Sequence, residues 1–209
     1  PSELIQDPHH TPFNIGHRIE LHDFSLDEVS PLARGLERHP EDQERASALI
    51  ERIHHWTQGH PYLTQRLCQA VMEQNQEGDP AQLVDHICEL LFLSPRAKEQ
   101  DDNLLYVRER VRRCPLDQIS LLDDYWSIWR GENIRYDEEN LIISELLLTG
   151  LVKVRGDFLV TRNRIYHHLF DQQWIERIRP VAEVEMQEGT RVRIRSNCSI
   201  GRTQASDIC

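Results

Sequence analysis

The chain has 209 residues, 39% of them apolar and 28% charged, with a formal net charge of −11. That balance suits a water-soluble protein of one or two domains, and the negative charge works against unspecific attraction to nucleic acid or an anionic membrane. Five cysteines, an odd number without any Cys-x-x-Cys pair, argue against a disulfide framework or a zinc ribbon; no long apolar run or signal peptide is visible, so the expected setting is a reducing cytoplasm with no membrane partner.

Residues 1–14 are mostly polar and broken by Pro1, Pro8 and Pro12, the pattern of an extended loop. Ile15 to Leu21 reads as a short strand, with Ile19 and Leu21 alternating. Ser25-Leu26-Asp27-Glu28 is a capping box that opens a helix, expected to be short because Pro31 and Gly35 interrupt it. Pro40 and Glu41 start the next helix, whose apolar face is Ala46, Leu49, Ile50, Ile53 and Trp56, and which ends near Gly59. A third helix runs from His60 to about Gln76 on Leu63, Leu67, Ala70 and Val71. Gly78-Asp79-Pro80 opens a fourth, bearing Leu83, Ile87, Leu90 and Leu91. Ser94 to Asp102 reads as a charged loop, and Asn103 to Arg113 as a fifth helix ended by Pro115.

The pattern then changes. Leu116 to Trp129 is helical and rich in aromatics, and Asp137 is expected to cap a helix carrying Leu141, Ile142, Glu145, Leu146 and Leu147 that ends at Gly150. Leu151 to Val154 and Phe158 to Thr161 flank Arg155-Gly156-Asp157 as a hairpin, and Arg164 to Ile175 closes the unit as one helix. Helix, helix, hairpin, helix is the outline of a winged-helix domain. After Pro180, Val192 and Ile194 alternate with Arg191, Arg193 and Arg195, which predicts strands. The fold class expected is therefore mainly α: a helical bundle and a winged-helix domain with a β-hairpin wing, followed by a short β segment at the C-terminus.

The most informative stretch is Gly59-His60-Pro61-Tyr62-Leu63, at the junction of the second and third helices. Gly59 suits a left-handed helix end and Pro61 a first helical turn, so the motif has a purely structural reading as punctuation. It also resembles the adenine-side Gly-x-Pro motif in the helical lid of AAA+-type and STAND signalling ATPases. Pro12-Phe13-Asn14-Ile15-Gly16, the run from Ile19 to Ser25, the run from Leu104 to Arg110, Gly150-Leu151-Val152 and the run from Val160 to Tyr166 extend the resemblance to the C-terminal half of bacterial AAA-like STAND ATPases, over residues 11 to 175. The resemblance implies the end of an ATPase core at 1–23, a helical lid at 24–115 and a winged helix at 116–179. It implies ATP or ADP with magnesium as the cofactor of the intact parent. Only the adenine side would fall on this chain, at Gly59, His60, Pro61 and Tyr62, and an upstream core would hold the phosphates. Ser199-Ile200-Gly201-Arg202 with Asp207-Ile208 resembles the opening of a forkhead-associated domain at 180–209, which implies that Arg202 contacts a phosphothreonine protein.

A lysine-bearing phosphate loop is absent: none of the nine glycines is followed by lysine, and Lys98 and Lys153 are the only lysines. The chain is therefore expected to be no enzyme by itself and to hold no nucleotide tightly, whereas the intact parent would be a slow ATPase. No catalytic constellation and no metal site is predicted. The histidine pairs His9-His10, His54-His55 and His167-His168 point about 100° apart on a helix and chelate poorly. Asp123-Asp124 reads as a solvated helix face, and Arg155-Gly156-Asp157 as a turn. The function expected is the regulatory lid and winged helix of a nucleotide-dependent switch. The alternative is a DNA-binding winged-helix regulator in which Arg162-Asn163-Arg164 touches phosphates, a reading the acidic balance disfavours.

Overall fold

The computed structural model describes residues 22–37, 39–74, 78–185 and 191–195, the last five and 181–185 as backbone only. The fold is mainly helical with two small antiparallel hairpins, as expected. The strand predicted at Ile15 to Leu21 lies outside the described residues, and so does Arg202.

The chain enters through α1 (Leu26–Val29), whose capping box forms as predicted: Ser25 Oγ accepts from the Glu28 amide at 3.3 Å, and the Ser25 amide donates to Glu28 Oε2 at 2.8 Å. Pro31 and Gly35 do not break the helical path. The backbone tightens into a 3-10 helix, Ser30–Leu36, in which Pro31 occupies the first turn, where it loses no hydrogen bond. A second 3-10 turn (Pro40–Asp42) leads into α2 (Gln43–Thr57), which buries Ala46, Leu49, Ile50 and Ile53 against α3 (Pro61–Glu73) and α4 (Pro80–Cys88).

The predicted face of the fourth helix fails after Cys88. A π turn, Glu89–Leu93, adds a residue to the period, so Leu90 points outward, 56% exposed, and Phe92 takes the core position at 0%. The charged segment from Ser94 holds a short helix, α5 (Ala97–Gln100). Asp101 then caps α6 (Asp102–Arg112) by accepting from the amides of Asn103 and Leu104, both at 3.0 Å.

After Pro115 come α7 (Gln118–Trp129) and α8 (Leu141–Thr149). Asn140, not Asp137, is the cap of α8. It accepts from Ile142 and Ile143, while Asp137 closes its own turn onto the Glu139 amide. Gly150 ends α8 in the left-handed conformation as predicted. Strands β1 (Val152–Arg155) and β2 (Phe158–Thr161) pair with Arg155 opposite Phe158 around the two-residue loop Gly156-Asp157. The segment near Ile134 flanks β2, with the Leu159 amide donating to the Ile134 carbonyl at 2.9 Å. The single closing helix is two: α9 (Arg164–Leu169) and α10 (Gln172–Ile178), separated because Asp171 caps a new start by accepting from the Trp174 amide. A last hairpin pairs β3 (Val181–Glu185) with β4 (Arg191–Arg195).

One hydrophobic core runs from Val29 to Ile175 and takes in side chains from both sides of Pro115. Helix α9 packs on α2, and α8 on α6. Leu146 and Tyr166 are fully inside. Of the five cysteines, Cys88 is a small core residue as expected, whereas Cys68 is half-buried and packs against the core; burial pushes their thiols up to about 12 and about 11.

Candidate functional site: the junction around Gly59

The motif singled out from sequence sits where the two sides of the fold meet. Helix α2 ends with Gln58 and Gly59, both at positive φ (48° and 80°), so the left-handed cap begins one residue before the glycine. Gly59 is needed for a second reason. The backbone of Phe24 crosses directly above it, its amide donating to the Gly59 carbonyl at 2.8 Å, and a Cβ on Gly59 would lie 1.8 Å from the Phe24 carbonyl oxygen. Thr57, fully buried, shares a hydroxyl–hydroxyl bond with Thr64 at 2.8 Å and ties the end of α2 to the start of α3.

His60 caps α3. Its Nδ1 accepts from the Leu63 amide at 3.5 Å, so its proton belongs on Nε2, which lies 3.3 Å from the Tyr166 oxygen. Tyr166 in turn donates to Asn103 Oδ1 at 2.6 Å. The result is a directed chain of neutral hydrogen bonds from the turn, through α9, to α6. Burial, with the nearby Arg162 charge, lowers the His60 pKa to about 4, and burial raises that of Tyr166 above its ordinary value. Both groups are neutral at pH 7.

On the opposite side of the same turn the chemistry is ionic. The Asp23 carboxylate, 14% exposed, bonds Lys153 Nζ at 2.9 Å and Arg162 Nη2 at 2.9 Å, while the Phe24 carbonyl lies 3.1 Å from His54 Nε2. Burial alone would raise the Asp23 pKa; hydrogen bonds and charge from Arg162 and Lys153 outweigh it and hold the carboxyl below its usual range. Beside this clamp opens a recess of about 480 Å³, whose walls include Gln58, His54, His55 and Glu28 and whose rim carries Lys153, Arg155 and Arg164. Gln58 Oε1 is buried there without a hydrogen-bond partner.

The predicted residues therefore separate. Gly59 and His60 are buried and face inward. Pro61 and Tyr62 are half-buried and lie outside the recess, and the Tyr62 hydroxyl donates to Asp101 at 3.0 Å. Gln58 carries no mark in the sequence, and Asp23 falls in the run Ile19 to Ser25 without being singled out there. A non-glycine residue in left-handed geometry has no sequence signal, and nothing local singles out Asp23 as the partner of residues 130 and 139 positions on. Arg162, read as a candidate phosphate contact, is committed to Asp23. Of the histidine pairs, His167 stacks on Trp129 at 4.6 Å.

The sequence that builds this junction matches a known protein family over most of its length. The AAA-like domain covers residues 3–172, and the chain belongs to that family, whose members are typically nucleotide-binding. The chain is also 36% identical over 188 residues to an uncharacterized WD repeat-containing protein of Synechocystis sp., an alignment that takes in 85% of this chain and 15% of that protein. The chain thus spans about 15% of the length of the curated relative it matches. No solved structure matches it. Among the described residues no helix is long and apolar enough to cross a membrane.

Proposed function

We propose that this chain is the lid and winged-helix portion of a STAND-type signalling switch, in which α1 to α6 form the lid and α7, α8, the β1–β2 hairpin, α9 and α10 form the winged helix. The observation that carries the reading is the crossing of Phe24 over Gly59 with Asp23 clamped to Lys153 and Arg162. Through it, whatever precedes residue 22 is tied at once to the helical bundle and to the hairpin. A shift of an upstream ATPase core would act on both.

The recess beside this clamp suits a nucleotide. Its volume falls in the range of small-molecule sites. Gln58 offers an amide oxygen left unpartnered by the fold, a match for a base amino group, and Arg155 and Arg164 place positive charge at the rim, where phosphates would lead away toward the core. A bound ATP or ADP, with magnesium held by that core, would supply the charge difference the switch reads. Pro61 sets the start of α3, the helix that follows the turn bearing Gln58. Such a switch needs differential affinity of a few kcal/mol between states.

The test uses the full-length parent. Gln58→Ala and Pro61→Ala are measured side by side for nucleotide affinity and melting temperature. The reading requires Gln58→Ala to weaken nucleotide binding with little change in melting temperature. Equal affinity in both variants, with lowered stability, would reduce the motif to helix punctuation. The same reading has the isolated segment bind ATP in the millimolar range at best, about −4 kcal/mol, for want of phosphate contacts. Micromolar binding by calorimetry would refute that.

A further inference from the structure

A second cavity, of about 450 Å³, shares no lining residue with the Gln58 recess and is walled largely by α6 and α10. Leu104, Arg108 and Arg112 stand at i, i+4 and i+8 on one face of α6, and Trp174, Arg177 and Ile178 stand at i, i+3 and i+4 on α10; these two faces line it. Its floor is apolar and aromatic, with Phe170 4% and Trp174 6% exposed. Its walls carry three guanidinium groups, a concentration of positive charge that contrasts with a net charge of −11 for the chain. Glu99 is the one carboxylate among the lining residues.

Two donors at this cavity are left without acceptors. Arg108 Nε and Trp174 Nε1 are both buried and neither has a hydrogen-bond partner among the described residues. An unmade bond on a buried donor is costly, so such a group points to an acceptor the fold itself does not provide. The other two arginines are only loosely engaged: Arg112 lies 3.6 Å from Glu109 at an exposed position, and Arg177 donates to the Gln173 carbonyl at 3.2 Å.

The geometry points to a binding site for a small organic anion. Its carboxylate or phosphate is held by Arg108, Arg112 and Arg177, and its flat apolar body lies on Phe170 and Trp174. Guanidinium forks match such oxyanions in pairs, and the aromatic floor excludes fully hydrated inorganic ions. The volume admits a ligand of drug size or smaller. The site is separate from the Gln58 recess and does not depend on nucleotide binding there. Because α6 and α10 come from opposite sides of Pro115, a ligand held by both favours the arrangement in which they face each other, giving the fold a chemical input of its own.

The experiment titrates the chain with 1-naphthyl phosphate, 1-naphthol and inorganic phosphate, using calorimetry and melting temperature as readouts. Saturable binding of 1-naphthyl phosphate is expected, with 1-naphthol and inorganic phosphate each much weaker. Arg108→Gln should weaken it about tenfold or more, as loss of a charge-assisted bond does. Arg34→Gln, the same charge change at an exposed site on the 3-10 helix, should leave it unchanged. Arg177→Gln, at an exposed position of the α10 face that lines the cavity, provides the same reading if Arg108→Gln lowers the melting temperature of the free chain. Absence of saturable binding at millimolar probe, equal binding of 1-naphthol, or full binding by both Arg108→Gln and Arg177→Gln would each overturn the site.

Discussion

The two faces of the Gly59 turn hold the same elements together by opposite means. Inward, His60, Tyr166 and Asn103 form a neutral, buried chain in which each hydrogen has a defined owner. Outward, Asp23, Lys153 and Arg162 form an ionic clamp beside an open recess. Neutral bonds in a dry interior are strong against rearrangement, because breaking one strands a polar group away from water. Ions at a half-open edge exchange partners with solvent or ligand at small cost. The turn thus combines a fixed hinge inside with an adjustable contact outside, and substitutions can separate the two.

The largest effect belongs to the feature both faces share. Gly59→Ala places a methyl group where the Phe24 carbonyl already sits and adds the strain of positive φ, so it should lower stability by roughly 3–5 kcal/mol. Gly78→Ala, also at positive φ (130°) but with nothing within 4 Å of the added Cβ, isolates the conformational part and should cost less. Chemical denaturation of both variants checks the difference. Equal losses would mean that the Phe24 crossing is irrelevant.

The inner face should announce itself through pH. The His60 pKa is about 4 in the folded protein against 6.5 for the free side chain. Below pH 6.5 the unfolded chain binds a proton that the folded one refuses, so stability should rise as pH rises from about 4 to 6.5, by roughly 3 kcal/mol across that window, and be flat above it. His60→Asn keeps a capping acceptor and should remove this slope. Unfolding curves for both proteins across pH 4–7.5 decide the matter, and an unchanged slope would place its origin elsewhere. Tyr166→Phe cuts the same chain at its middle and leaves His60 Nε2–H and Asn103 unpaired, at about 1–3 kcal/mol. A smaller loss on thermal unfolding would show that water enters the gap.

What the sequence made legible was local. Ser25 and Gly150 act through neighbours within four residues, and both are where their spacing put them. The apolar faces of α2 and α3 follow from a period that holds along each helix. The failures are of two kinds. A π turn at Glu89–Leu93 changes the period from inside with no residue type that demands it, and Asp171 is a capping residue set inside an apolar pattern that otherwise reads as one continuous helix. The other kind is distance: Gly59 could be marked as a helix end, but its second constraint comes from Phe24, and the Gln58 recess and the α6–α10 cavity exist only once remote segments meet. The motif was visible, whereas the groups that give it a chemical environment were not.

The smallest effect is the one that bears most directly on switching. Asp23→Asn keeps size and some hydrogen bonding but removes the charge that Lys153 and Arg162 share. Those two side chains are 25% and 24% exposed and can turn to water, so the loss at pH 7 should be only ~1 kcal/mol. Its pH dependence is opposite in origin to a histidine's. The folded carboxyl is held below its ordinary value of 3.8, so its contribution is complete at neutral pH and fades as pH falls from about 3.8 through the lower folded value. Wild type and Asp23→Asn should therefore differ at pH 7 and converge in acid. Hydrogen exchange gives the local readout: amides of β1 and of residues 23–24 should exchange faster in the variant, while those at the start of α3, fixed by His60 from within, should not. Equal acceleration on both faces would mean that the clamp and the hinge are one cooperative unit, and the division between a fixed inside and an adjustable outside would be wrong.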